Sequence, residues 1–287
     1  MTASGGESKG VMQLHPCFSE RAHDRIGRVH LPVAPACNVR CAYCDRRICT
    51  HLSAQHPGWA REVLRPQAAL ERVRALVGAA ARAYPFVVGI AGPGEPLVNE
   101  ETFEALDLVH REFPSLVLCV SSNGLLLREC LPQLMRAGVR AVTVTMSALD
   151  PQVGQAIYAW VRHNGVVYRG AEAAELMIRS QLAGIEAALA AGLAVKVNSV
   201  LIPGLNEDHL PALARCLQEV GVPLMNIMPL IPAGLMRSRR APTCEELRAV
   251  RERCGRYVVQ FRRCEHCRAD VVAIPGVDAR CRAAQAR

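Results

Sequence analysis

Val29-His30-Leu31-Pro32-Val33-Ala34-Pro35-Ala36-Cys37-Asn38-Val39-Arg40-Cys41-Ala42-Tyr43-Cys44 runs from a short apolar stretch straight into three closely spaced cysteines. Residues 29–34 read as a β-strand, and the cysteines then occupy the loop at its carboxyl end. The same alternation continues down the chain. Strand-type runs recur at 86–91, 116–121, 141–147, 193–201 and 224–230. Between them, 67–83, 101–113, 126–137, 171–191 and 206–220 carry apolar residues at three- and four-residue spacing, the period of a helix with one buried face. Pro66, Gly138, Gly192 and Asn206 punctuate those helices. Six strands alternating with five helices predict an α/β chain around a mainly parallel sheet. Gly and Pro gather where strands end, at Gly92-Pro93-Gly94-Glu95-Pro96 and Ile202-Pro203-Gly204-Leu205-Asn206. In βα barrels that rim carries the chemistry. Beyond Pro232 the alternation fades into an Arg-rich loop, a helix expected over 242–254 and a tail with three more cysteines.

Composition narrows the class. The chain has 287 residues, 51% of them hydrophobic, enough to bury a large core and far too apolar for a disordered chain. Its net charge of +8 favours anionic ligands, but aromatics make up only 4% and the one basic tract is 237–240, so nucleic acid is not expected as a partner. No apolar run reaches the ~20 residues needed to span a bilayer, and no membrane association is expected. Met1 to Gly10 is polar and Gly-rich, without the apolar core of a secretion signal, so a cytoplasmic location is expected. Thirteen cysteines in such a compartment point to metal or redox chemistry instead of disulfides.

Cys37, Cys41 and Cys44 form C-x3-C-x2-C on one tight loop. A cuboidal [4Fe–4S] cluster normally takes four thiolates, so a three-cysteine loop leaves one iron open to a substrate or cofactor. The bland alternatives are a zinc site or incidental buried cysteines. Cys264-x2-Cys267 reads, by itself, as a zinc half-site or redox pair. A lone strand histidine such as His30 is more often a packed core residue than a ligand.

The cysteine loop resembles the signature of the radical S-adenosylmethionine (SAM) superfamily, and the 92–96 stretch resembles its Gly-rich segment after the second strand. The resemblance narrows to the NifB family of nitrogenase cofactor maturases. Blocks similar to that family are His15-Pro16-Cys17-Phe18-Ser19-Glu20, 33–38, 90–94, 195–204, 226–231 and Cys264-Glu265-His266-Cys267-Arg268-Ala269-Asp270, in order from about Leu14 to Val277. The resemblance implies an incomplete (βα)6 TIM-like barrel of the radical SAM type with cluster-binding extensions: residues 1–27, a core at 28–232, and 233–287. It implies an enzyme that fuses two [4Fe–4S] clusters, K1 and K2, with a SAM-derived carbide and an added sulfide into the [8Fe–9S–C] precursor of the FeMo cofactor. Carried over position by position, Cys37, Cys41 and Cys44 hold the SAM cluster. Cys49, Cys119 and His30 match K1 ligands, and Cys17, Cys264 and Cys267 match K2 ligands. Gly94, Thr145, Val197 and Asn198 match SAM contacts, with Asn123 and Ser147 as further polar neighbours.

Three [4Fe–4S] clusters and SAM are therefore the expected cofactors. The expected partners are iron–sulfur cluster donors, a sulfur source, an electron donor and a carrier or scaffold protein that takes the product. Cys119 is expected at the end of its strand and His30 at the start of its own, and Cys17 is expected to meet Cys264 and Cys267 across the barrel mouth. Cys130, Cys216, Cys244 and Cys254 are expected to pack as small apolar groups, and Cys281 has no role. The family usually has a Glu where this sequence has Leu52, and a stand-alone form without the carboxyl-terminal carrier domain of many relatives is expected. Two rivals remain at this level. One is a radical SAM enzyme that uses auxiliary clusters to modify a peptide or small molecule; the other is a non-catalytic iron–sulfur carrier.

Overall fold

The computed structural model describes residues 4–50, 56–80, 85–264 and 266–275. Six parallel strands form its centre: β1 (Gly27–His30), β2 (Phe86–Ile90), β3 (Leu118–Ser122), β4 (Val139–Thr145), β5 (Ala194–Leu201) and β6 (Leu224–Pro229). They lie in sequence order across the sheet, each pairing in parallel with the next. The carboxyl-terminal segment supplies both edges. Val259–Gln260 pairs in parallel with β6, and Val272–Ala273 pairs antiparallel with β1. The sheet is the mainly parallel one that the strand–helix alternation predicts, consistent with the incomplete (βα)6 barrel that the family resemblance implies, and 233–275 is woven into it.

The helices between strands are α1 (Pro66–Ala80), α2 (Glu100–Glu112), α3 (Leu127–Arg136), α4 (Gly170–Ala190) and α5 (Leu210–Val220). Each turns its apolar stripe onto the outer face of the sheet. Leu106, Leu134, Ile185 and Leu213 meet Val88, Leu118, Val142, Val195 and Ile227 there in the main core. Burying each such aliphatic side chain contributes about 1.5–3 kcal/mol, so this one layer outweighs any polar contact in the molecule. Asn206 does not cap α5. It lies fully buried in the loop before the helix, donating to the Ser147 and Val200 carbonyls at 3.0 and 2.9 Å and accepting from the Ile202 N–H at 2.8 Å. The helix expected over 242–254 spans Cys244–Cys254, where Thr243 and Glu246 form a reciprocal cap.

The inner face is built differently. Along β3, Leu118, Val120 and Ser122 are buried, whereas Cys119 and Ser121, which face the barrel interior, are only half-buried. Elsewhere the inner face is closed off, with Ala141, Thr143, Ala194, Lys196 and Asn226 all buried, so the half-buried Cys119 and Ser121 mark the more accessible part of the lumen. Its lining falls into rows set by strand register. His30, Gly89, Cys119, Ala141 and Ala194 form one row. Thr143 pairs with Lys196 in the next, and Thr145, Asn198 and Asn226 line up nearer the carboxyl rim. First and last rows lie four residues apart, about 13 Å along the strands. A satellite core closes the amino mouth, with Val11, Phe18 and Phe261 packed on Ala141, Ala194 and Leu224.

Candidate functional site

The three-cysteine loop sits over the carboxyl end of β1 and is held on three sides. Val39–Cys41 pairs antiparallel with Tyr158–His163, the first arm of a hairpin that Val166–Tyr168 completes. The Ala42 N–H donates to the Ile157 carbonyl at 2.7 Å, and the Ala42 carbonyl accepts from Leu235 and Met236 at 2.7 and 3.2 Å. Val39, Ala42, Ile157, Tyr158 and Met236 pack beneath the loop, with Cys37 and Cys41 against them. Burial pushes the Cys37 thiol up to about 11, with the Glu95 carboxyl adding to the effect. Burial likewise raises Cys41 well above the ordinary thiol range, helped by its neighbours Cys44 and Cys37, and it raises Cys44. Such thiols keep their protons at neutral pH until a bound cation compensates the thiolate. Among the described residues no three His, Cys, Asp or Glu side chains are drawn around a single ion position. Fit to a cluster therefore rests on the donor set, three thiols on one anchored loop.

Beside this loop the 92–96 segment makes a backbone shelf. The Gly94 N–H donates to the Ala34 carbonyl at 2.6 Å and the Glu95 N–H to the Ala36 carbonyl at 2.8 Å. A Cβ on Gly94 would stand 2.1 Å from the Ala36 oxygen, so only glycine allows the shelf to lie against the strand that leads into Cys37. Asn99 locks the arrangement, donating to the Ala36 carbonyl and accepting from its N–H, both at 3.1 Å. Glu95 is buried, accepting from Ser122 Oγ at 2.7 Å, from the Asn123 N–H at 2.6 Å and from the Leu97 N–H at 3.1 Å. Burial lifts its carboxyl to about 7 against the pull of those donors.

Of the residues matched to SAM contacts, Thr145 and Asn198 are register partners on the inner face of β4 and β5, and Asn226 Nδ2 donates to Asn198 Oδ1 at 3.1 Å. Val197 is different. Its side chain is fully buried in the core between sheet and helices, so only its backbone is available to a ligand in the lumen. Asn123 Nδ2 donates to Asn38 Oδ1 at 2.8 Å, tying β3 to the cysteine loop. Ser147 is buried and accepts from the Val200 N–H at 3.0 Å, a structural duty.

Deeper in the lumen lies a second set of sulfur and imidazole groups. His30 is the last residue of β1, not its start, because pairing with β2 begins two residues earlier than the apolar run suggests. Its Nδ1 is 3.1 Å from the Arg268 carbonyl. A carbonyl only accepts, so Nδ1 carries the proton and Nε2 keeps its lone pair, the arrangement of a metal-binding histidine oriented by a backbone oxygen. Burial holds the ring neutral by lowering it to about 4, with Arg28 and Lys196 adding to the effect.

Cys119 is the second residue of β3 and faces the lumen beside His30, not the rim, because its strand continues for three residues beyond it. A Cβ on Gly89 would stand 2.8 Å from Cys119 Sγ and 3.2 Å from His30 Cδ2, so this glycine makes room for both. Cys49 is tied to the same region, its carbonyl accepting from Arg268 at 2.8 Å and its N–H donating to the Ala60 carbonyl at 2.7 Å.

Cys17 and Cys264 border the amino-mouth core together with Cys119. Burial pushes Cys119 up to about 12, with Cys17 adding to it and Lys196 opposing. Burial pushes Cys267 up to about 11, opposed by Arg28 and reinforced by Cys17 and Cys264. Segments separated by more than 240 residues of sequence are thus brought to the same mouth of the sheet.

Sequence reasoning missed the groups that surround these thiols. Arg28, 4% exposed, donates from Nε to Cys267 Sγ at 3.2 Å. Lys196, equally buried, donates to the Cys17 carbonyl at 2.9 Å and lies 5.1 and 5.3 Å from the ring centres of Phe18 and Phe261. His15 is buried next to them, its Nδ1 accepting from the Cys17 N–H at 3.1 Å. One signal for Lys196 was available: it is one of only two lysines in a chain otherwise served by arginine, and it stands inside an apolar strand. The remaining cysteines divide. Cys254 is buried and Cys130 half-buried against the core, as expected, whereas Cys244 is exposed at the start of its helix. Leu52 and Cys281 lie outside the described residues.

The sequence model of the radical SAM superfamily matches residues 31–217. The FeMo cofactor biosynthesis protein NifB of Methanocaldococcus jannaschii is 44% identical over 266 residues, covering 92% of this chain and 87% of the relative. The protein of the same name from Methanocaldococcus infernus is 42% identical over 264 residues, covering 92% and 86%. In fold, the chain is similar to the crystal structure of Streptococcus suis SuiB bound to S-adenosylmethionine, with a TM-score of 0.59 at 11% identity over 85% of this chain and 52% of that one. Among the described residues no helix is long and apolar enough to cross a membrane.

Proposed function

This chain belongs to the NifB family of FeMo cofactor biosynthesis proteins, within the radical SAM superfamily, and from that premise we propose that it joins two four-iron clusters into the eight-iron carbide core of the FeMo cofactor. It is a radical SAM enzyme of FeMo cofactor biosynthesis that uses SAM and an iron–sulfur cluster. In our reading Cys37, Cys41 and Cys44 hold a [4Fe–4S] cluster on the anchored loop. When bound, that cluster supplies the electron that splits SAM into methionine and a 5′-deoxyadenosyl radical. The Gly94 shelf, the Val197 backbone and the polar row of Thr145 and Asn198 orient SAM at the rim, between the loop and the lumen.

The two clusters to be joined are substrates. His30, through Nε2, with Cys49 and Cys119 receives K1, and Cys17, Cys264 and Cys267 receive K2. Three protein ligands for each leave irons uncovered for fusion. A methyl group from one SAM passes to a K2 sulfide, leaving S-adenosylhomocysteine; the radical from a second SAM takes one hydrogen atom from that methyl, the remaining two hydrogens leave as protons, and an added sulfide completes the [8Fe–9S–C] product. Arg28 and Lys196 place positive charge beside the thiols, which favours anionic clusters in a low-dielectric lumen. Residues 1–27 and 233–287 thus bring ligands to a catalytic core at 28–232. An electron donor, a sulfur source, iron–sulfur cluster donors and an accepting carrier complete the set of partners.

The observation that carries this reading is the presence of two thiol sets at two depths of the inner face of the sheet, one on the rim loop and one in the row of His30 and Cys119. Anaerobic reconstitution tests it. Three four-iron clusters give about twelve irons per chain, falling in Cys17→Ala and Cys264→Ala. A count near four that neither substitution changes overturns it.

A further inference from the structure

His15 sits in the turn between helix Ser4–Leu14 and the short helix Glu20–His23. Its backbone is fully engaged, the N–H donating to Val11 and the carbonyl accepting from Phe18 and Ser19. Its ring tilts against Phe18 with centroids 4.6 Å apart, and the residue is 2% exposed. Nδ1 accepts from the Cys17 N–H at 3.1 Å. An imidazole nitrogen that accepts from an amide carries no proton, so in the neutral ring the proton lies on Nε2. That Nε2 is buried and has no hydrogen-bond partner. The titratable groups facing the ring are Lys196, His30 and Arg28. Arg28 and Lys196 can only donate, and His30 makes no bond to this atom.

A buried N–H without an acceptor is rare in folded proteins and calls for an explanation. The two lumen histidines are opposite tautomers. His30 offers a lone pair at Nε2, whereas His15 offers a proton there and has no lone pair left to bind iron. We infer that His15 is a positioning residue, its Nε2–H donating a hydrogen bond to a sulfur of the four-iron cluster held by Cys17, Cys264 and Cys267. The inference rests on the cluster assignment above. It explains why the ring is fastened to the amide of Cys17 itself: a cluster bound at that thiol presents its sulfides beside the ring. Hydrogen bonds to cluster sulfurs stabilise the more reduced, more negative state and so raise the reduction potential.

The test uses the full chain, reconstituted anaerobically with iron and sulfide. In His15→Asn the side-chain oxygen can still accept from the Cys17 N–H, but no donor reaches the Nε2 position; in His15→Gln an amide N–H reaches it. The expected result for His15→Asn is an auxiliary-cluster midpoint potential shifted to more negative values, with altered electron paramagnetic resonance g-values and undiminished 5′-deoxyadenosine formation at the rim. His15→Gln should move potential and g-values back toward those of the unsubstituted protein. Unchanged potential and g-values in His15→Asn overturn the inference. Equal loss of auxiliary iron from both variants also overturns it and leaves the ring a purely structural role. An unsubstituted protein that takes up only about four irons overturns the cluster assignment first, and the inference with it.

Discussion

His30 and Arg268 stand 238 positions apart in sequence and meet at 3.1 Å, the imidazole Nδ1 donating to the Arg268 carbonyl. This bond fixes which nitrogen of His30 carries the proton and joins the end of β1 to the segment that bears Cys264 and Cys267. In His30→Ala the lone pair is gone while the rim loop is untouched. Iron content of the reconstituted protein should fall from about twelve toward about eight per chain, with SAM cleavage retained. Iron analysis beside a 5′-deoxyadenosine assay checks this, and an unchanged iron content would remove His30 from the ligand set.

Gly94 permits the closest backbone approach in the rim. Gly94→Ala places a methyl 2.1 Å from the Ala36 oxygen and must push the shelf away from the strand leading into Cys37. SAM affinity should fall at least tenfold, about 1.4 kcal/mol, with the iron content of the rim cluster preserved. Equilibrium binding of SAM to the reconstituted protein reads it directly; wild-type affinity would show that the shelf does not orient SAM.

Arg268 makes a buried ion pair with Asp270 at 2.9 Å, the two side chains 4% and 7% exposed. Its guanidinium also donates to the Cys49 carbonyl. Arg268→Met strands the carboxylate and should destabilise the apoprotein by about 3–5 kcal/mol. Replacing Asp270 with Leu in the same chain should recover most of the loss. Urea unfolding under reducing conditions checks both, and a single substitution costing less than about 1 kcal/mol would mean that the pair is solvated.

Glu95 gives the apoprotein a pH dependence of known sign. Burial raises its carboxyl from 4.5 to about 7, so the folded chain holds this proton more tightly than the unfolded chain. Its contribution is fully present below about pH 4.5 and is lost as the pH rises through 7, about 3 kcal/mol in all. Glu95→Gln should remove that fraction of the stability difference between pH 5 and pH 8, measured by denaturant unfolding. An identical difference in both proteins would contradict the assignment.

The barrel was legible because its signal is periodic. The apolar runs at 86–91 and 193–201 contain the outer-face residues Phe86, Val88 and Ile90 of β2 and Val195 and Val197 of β5, and the helices between them show their apolar stripes directly. The hairpin over 158–168 was overlooked although Asn164 and Gly165, both with positive φ, form the kind of turn that marks hairpins. Arg162 and His163 interrupt the apolar alternation there. The depth of Cys119 could not be read, since its position relative to the rim depends on where β3 starts and not on the cysteine itself. His15 and Arg28 were invisible for another reason, and Lys196 showed only as a rare lysine inside an apolar strand. Their roles come from burial and from which nitrogen carries a proton, and packing between residues 15 and 267 decides both.

The central claim is that this chain uses SAM twice on cluster substrates. The most direct measurement incubates the reduced, reconstituted protein with SAM and no organic substrate, then quantifies S-adenosylhomocysteine and 5′-deoxyadenosine together. The account predicts that both form, and that S-adenosylhomocysteine is lost in Cys17→Ala while 5′-deoxyadenosine is still produced. Formation of 5′-deoxyadenosine alone, and only after a peptide or small molecule is added, would contradict it.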